Sequence, residues 1–141
     1  MSAAALIERY YHTFNSGDRD ALLDLLTDDV MHDINQGGCE RGKDDFRRFL
    51  QRMDRCYREK VVDLVVFSNS EGTRAAAEFF IDGTYLATDD GLPDATGQTY
   101  HLRVGAFFEI RDGRISRVTN YYNLQEWLRL IDAPTGRQAR E

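Results

Sequence analysis

The sequence predicts an α+β fold, with N-terminal helices wrapping a curved antiparallel sheet bent into a cone. Three observations predict it. Apolar stripes at helical spacing fill the first part of the chain and strand alternation fills the rest, which segregates helices from strands. The stretch from Gly105 to Asn123, GAFFEIRDGRISRVTNYYN, reads as two long strands around an Asp112-Gly113 turn. Asp-Gly between alternating apolar residues is a strong hairpin signal, because both turn positions accept positive φ. Finally, Gly83 lies inside a long strand pattern, where a glycine suggests a bulge or a sharp bend.

In chain order, residues 2–15 carry Leu6, Ile7, Tyr10, Tyr11 and Phe14 at the i, i+3/i+4 spacing of an amphipathic helix. Gly17 is suited to its left-handed cap. Asp18 is the N-cap of a second helix, Arg19 to about Leu26, which Thr27-Asp28-Asp29 breaks. VMHDIN, Val30 to Asn35, alternates as a short strand. Gln36-Gly37-Gly38 is a loop, and Gly42 precedes a third helix from Lys43 to about Tyr57. Lys60 to Phe67 is a strand, and Arg74 to about Thr88 is a longer one. The loop Asp89 to Gln98 exceeds what a hairpin needs, which suits a lid or a rim. After the hairpin, Leu124 to Ile131 forms a short closing helix. The expected domain spans 1–131, with 132–141 a polar, flexible tail.

With 141 residues the chain is long enough for one domain with a substantial core. Net charge is -6, which disfavours nucleic acid and anionic membrane as partners. No run has the length of a membrane-spanning helix, and MSAAALIERYY lacks the pattern of a signal peptide, so a cytoplasmic location is expected. Cys39 and Cys56 have no metal or redox spacing and read as free thiols. The histidines lack metal-ligand spacing, and no phosphate loop, nucleophile elbow or dinucleotide fingerprint is present. Neither a metal nor a cofactor is expected.

Three strings, RYYHTFNSGDRDALLDLLTDDV, GKDDFRRFL and FFEIRDGRISRV, together with the order of elements, resemble the nuclear transport factor 2-like superfamily. Its ketosteroid isomerase-related and SnoaL-like members share a cystatin-like roll. The resemblance implies a small-molecule pocket inside the cone. It places Tyr10 where ketosteroid isomerases carry an oxyanion donor. Their general base falls on Ile34, with Asp33 the nearest carboxylate, and their second, acidic donor falls on Ala106.

The residues themselves add candidates. On the hairpin, Ala106, Phe108 and Ile110 share one face, and Ser116, Val118, Asn120 and Tyr122 share the matching one. Glu109, Arg111 and Arg117 mark the other side as wet, so Asn120 and Tyr122 sit on the inner face. His32 and Asp33 are adjacent on a strand, so without a bulge only one lines the pocket. His32 is a base or acid at neutral pH if inward, and a gap-filling core residue otherwise. Asp33 is a base if desolvated, and a surface partner of an arginine otherwise. Glu78 is either a pocket carboxylate or an outer-face residue paired with an arginine such as Arg103. Phe46, Leu50, Phe108, Asn120, Tyr122 and Glu78 are the expected substrate contacts, with Tyr10, His32 and Asp33 catalytic. The expected function is binding, and isomerising or cyclising, a small apolar carbonyl compound by proton transfer. A non-catalytic ligand-binding or protein-interaction module is one alternative, and a hydrolase or dehydratase on the same scaffold is another. A homodimer through the outer sheet face is expected.

Overall fold

A computed structural model describes residues 1–132, so the expected tail lies outside the described residues apart from Asp132, which ends the last helix. Helix α1, Ala3–Ser16, starts where the Ser2 hydroxyl accepts the Ala5 N–H and ends at Gly17 in the left-handed region. Asp18 caps α2, Arg19–Asp24, by accepting the Ala21 N–H at 3.0 Å. Both caps are those the sequence indicates.

The strands form one curved sheet in the order β2-β1-β6-β5-β4-β3. They are β1 (Leu26–Ile34), β2 (Cys39–Arg41), β3 (Tyr57–Ser68), β4 (Arg74–Tyr85), β5 (Thr99–Arg111) and β6 (Arg114–Tyr122). Helix α3, Lys43–Cys56, connects β2 to β3, and α4, Leu124–Asp132, follows β6. The α+β cone is therefore the observed architecture. The core lies between the sheet's inner face and α1 to α3, with Ile7, Leu22, Phe46, Phe108 and Val118 almost wholly buried. Among the described residues no helix is long and apolar enough to cross a membrane.

Several details differ from expectation. The chain enters β1 at Leu26, four residues early, because Leu26 pairs with Ile115 before the strand bulges through Thr27 to Val30. β1 runs parallel to β6, so the sheet is not wholly antiparallel. β2 has no sequence signal, and its short pairing with β1 is a tertiary effect. β3 starts directly after α3, and β4 stops at Tyr85. No register shift occurs at Gly83. A Cβ there would fall 2.2 Å from Cζ of Tyr100, so the glycine makes room for a ring crossing the strand. The hairpin turn is as expected, with φ 53° at Asp112 and 75° at Gly113. A bulge at Ser116 follows it, because Ile110 pairs with Ile115 and Glu109 with Arg117. That extra residue turns Ile115 inward and takes Ser116 out of the inner row expected for it.

Asn15, at the end of α1, closes one sheet edge. Its amide donates to the Val61 carbonyl at 2.9 Å and accepts the Val61 N–H at 2.8 Å. An unpaired edge strand is thereby capped. The Asp89–Gln98 loop is a fastened rim. Tyr57 donates to Asp89 Oδ2 at 2.8 Å, Tyr85 donates to the Pro93 carbonyl at 2.7 Å, and Gln98 donates to the Ile131 carbonyl at 2.8 Å.

Candidate active site

The register across the sheet builds the inner wall one row at a time. His32, Val118, Phe108 and Ala75 form one row. Ile34, Asn120, Ala106 and Ala77 form the next. The alanines leave space above the sheet, and the tyrosines of α1 occupy it. Tyr10 packs edge-on against Phe108 with centroids 5.7 Å apart, and Tyr11 lies 4.7 Å from Phe79. Burial pushes both phenols above the usual tyrosine range. The Tyr11 hydroxyl is buried with no hydrogen-bond partner among the described residues.

His32 faces inward in the parity of Val30. It is 4% exposed, with its ring 4.9 Å from Phe46 and 4.5 Å from Phe49 on α3. Its Nδ1 lies 3.5 Å from Glu40 Oε1, the residue opposite it on β2. Neither atom has a hydrogen-bond partner among the described residues. Burial pulls the imidazole below its ordinary value, opposed chiefly by Glu40. The neutral ring is thus favoured, next to a carboxylate able to orient it.

Asp33 is elsewhere. The register from Met31 to Ile34 against Arg117 to Asn120 is unbroken, so no bulge turns Asp33 inward. Its carboxylate accepts from Arg117 Nε at 2.6 Å and from the Thr119 hydroxyl at 3.1 Å, and Arg117 also reaches Glu109 at 3.0 Å. Arg117, before the other neighbours, holds the Asp33 carboxyl below the usual carboxylate range. The expectation of Asp33 as a pocket base is overturned, because a paired outer-face carboxylate is a weak proton acceptor. Glu78 is corrected likewise. It is exposed on the outer face, opposite Gly105 and Val65, while Arg103 lies over the Phe80 ring rather than against Glu78. Phe46, Leu50 and Phe108 are buried in the core, and Asn120 and Tyr122 are half-buried.

Three inner-face groups were not singled out from the sequence. Glu40 stands on the unpredicted strand. Glu59 shares its parity with buried Tyr57 and Val61, a signal that a strand beginning at Lys60 hides. Its row continues through Gly83 to Tyr100. The Tyr100 hydroxyl crosses above Gly83 to donate to Glu59 Oε2. Trp127 of α4 packs on Tyr100 and Tyr57 at 5.9 Å each. Burial pushes the Glu59 carboxyl up, with the Tyr100 hydrogen bond opposing. Burial also raises the Tyr122 phenol, with the Glu59 carboxylate adding to the effect.

With this geometry in view, a family model described as the SnoaL-like domain matches residues 7–118. The chain belongs to the SnoaL-like family. Among solved structures, it is similar to a candidate polyketide cyclase from Pseudomonas putida KT2440. The identity is 55%, over 93% of this chain and 98% of that one, with a TM-score of 0.92. A candidate polyketide cyclase from Xanthomonas campestris pv. campestris is 56% identical over 92% and 96% of the two chains, with a TM-score of 0.89. An NTF2-like protein of unknown function from Burkholderia pseudomallei, 18% identical with a TM-score of 0.78 over 94% and 100%, shares the fold alone. No curated protein matches the chain.

Proposed function

We propose that this SnoaL-like protein binds a small carbonyl compound against the inner face and isomerises or cyclises it by proton transfer without a cofactor. The observation that carries the reading is His32. It is an inward imidazole, biased to its neutral form, with Glu40 beside Nδ1. In the proposed reaction Nε2 takes a proton from the carbon α to the carbonyl. The electron pair of that C–H bond moves onto the carbonyl oxygen. The Tyr10 phenol stabilises the resulting enolate by hydrogen bonding, and Asn120 and Tyr122 face the same space. Where the compound carries a β,γ double bond, the imidazolium returns the proton to the γ carbon of the dienolate; where it carries a second carbonyl, the α carbon attacks that carbonyl and the imidazolium protonates the alkoxide formed.

The test is hydrogen–deuterium exchange at the α carbon across a panel of cyclic and acyclic ketones, followed by NMR. His32→Gln is expected to lower the exchange rate by about 100-fold or more, the usual worth of a positioned base. Asp33→Asn is expected to leave the rate within about threefold, as befits a charge on the far side of the strand. Equal rates in wild type and His32→Gln would sink the reading in favour of a non-catalytic binding module.

The outer sheet face supports a proposed homodimer. Phe107 and Tyr121 are each 45% exposed there and pack on one another at 5.6 Å, with Phe67 in the row of Phe107 and Val65 in that of Tyr121. Exposed aromatic side chains clustered in this way are typical of an interface. Sedimentation of wild type as a dimer and of Phe107→Glu as a monomer is the expected result.

A further inference from the structure

Strand β2 is three residues long, and its middle residue, Glu40, faces His32. The turn before it fixes that register. The Ile34 N–H donates to the Gly38 carbonyl at 3.1 Å and the Gly37 N–H donates to the Ile34 carbonyl at 2.8 Å. Gly38 has φ 82°, in the region that favours glycine. Glu40 therefore lies directly across from His32, where side chains of one sheet face meet. Its side chain is 38% exposed, yet Oε1 is buried 3.5 Å from Nδ1 of His32. Neither atom has a hydrogen-bond partner among the described residues. Phe46 and Phe49, which pack on the ring, offer it no acceptor.

We propose that Glu40 is a positioning residue: it accepts the Nδ1–H of His32, which fixes Nε2 as the basic nitrogen, and it pairs with the imidazolium once the proton is taken. The inference rests on the reading of His32 as the base. A bare Nδ1 would set its lone pair against those of the carboxylate, whereas Nδ1–H matches a donor to an acceptor. Buried polar groups with no other partner satisfy each other, and closing the 3.5 Å gap by about 0.6 Å gives an ordinary N–H···O length. With its proton on Nδ1, the neutral ring keeps its lone pair on Nε2, the atom the reaction needs. Proton uptake then leaves a positive charge among phenyl rings, which costs desolvation. Glu40 is placed to offset that cost. Of the other charged groups that act on the ring, Asp33 lies on the outer face and is held by Arg117, and Arg52 of α3 opposes the charge. The transferred proton enters and leaves at Nε2, while Nδ1–H stays with Glu40 throughout.

The experiment reads the His32 ring nitrogens by NMR of the isotope-labelled full chain, beside the exchange of α protons. In wild type above the His32 pKa, Nδ1 is expected as the protonated, pyrrole-type nitrogen and Nε2 as the bare, pyridine-type one. This measurement tests the contact without any variant. Glu40→Ala removes the acceptor, so the Nε2–H form is expected to gain population and the exchange rate to fall about tenfold or more, the worth of a charge-assisted hydrogen bond. Glu40→Gln keeps the size and removes the charge. The imidazolium then lacks its counter-charge, so the His32 pKa and the inflection of the exchange pH profile are expected to move down together. Asp33→Asn is expected to leave the tautomer as it is. The proposal is overturned by a wild-type ring protonated on Nε2, by an unchanged tautomer and rate in Glu40→Ala, or by a His32 pKa that holds or rises in Glu40→Gln. No exchange in wild type, with Nδ1–H present and responsive to Glu40→Ala, would overturn the reading of His32 as the base and leave the contact standing.

Discussion

Asp33 and Glu59 are carboxylates on strands of one sheet, and their surroundings are opposites. Asp33 lies outside, fixed by Arg117 and Thr119, and its ionised form is favoured. Glu59 lies inside, with one phenol for company, and burial pushes its carboxyl above the usual carboxylate range. The same functional group is thus shifted down by a cation at one position and up by burial at the other. Parity along a strand makes the difference, because each step of one residue exchanges solvent and cations for aromatic walls. His32 and Asp33 show the same rule between neighbours. The imidazole is enclosed by Phe46 and Phe49, while the adjoining carboxylate is wet.

The strongest way to break the contrast is to remove the space that lets Tyr100 reach Glu59. Gly83→Ala is expected to cost about 2–3 kcal/mol, the penalty of overpacking a tight site, measured by urea unfolding. Tyr100→Phe keeps the ring and removes the donor. It should cost about 1–2 kcal/mol at neutral pH by the same measurement, because a buried carboxyl loses its partner. Asp33→Asn should cost less than about 1 kcal/mol, since its pair with Arg117 is partly exposed and screened.

The pH dependence sharpens the comparison, because the two carboxyls shift in opposite directions. Asp33 titrates below its ordinary 3.8 when folded, so its contribution is present above that value and is lost as pH falls through the folded pKa. Glu59 titrates above its ordinary 4.5 when folded, so the folded state holds the extra proton and stability falls as pH rises from 4.5 through the folded pKa. Glu59→Gln should flatten the alkaline side of that stability profile, and Asp33→Asn the acid side. His32 adds a slope of its own. With its folded pKa below 6.5, stability falls as pH drops beneath that value, and His32→Gln should remove the effect. An unchanged profile in Glu59→Gln would mean that the Glu59 carboxyl titrates alike in the folded and unfolded chain.

Much of the fold is legible because its signals are local. The caps at Asp18 and Gly17 and the Asp112-Gly113 turn depend on residues a few positions apart, and all three are found where expected. The inner face of the hairpin follows from alternation until Ser116, where a bulge shifts the count by one. The site is less legible. Glu40 reaches His32 only because a three-residue strand pairs with β1, and such a strand has no periodicity to read. Glu59 is read correctly only if the strand begins at Tyr57. The single position that separates Ile34 from Asp33 in the family pattern could not be decided until the register of β1 against β6 was known.

The sequence by itself determined the α+β class, the helix stripes and their caps, the tight hairpin and the inward parity of Phe108, Val118, Asn120 and Tyr122, because short-range sterics and hydrophobic period decide these. Only the tertiary structure decided that β1 lies parallel to β6, that Asp33 is claimed by Arg117, and that Tyr100 crosses Gly83 to meet Glu59. Those outcomes depend on register between strands far apart in the chain. A shift of one residue in such a register moves a carboxylate from water into the core and changes which proton it can hold.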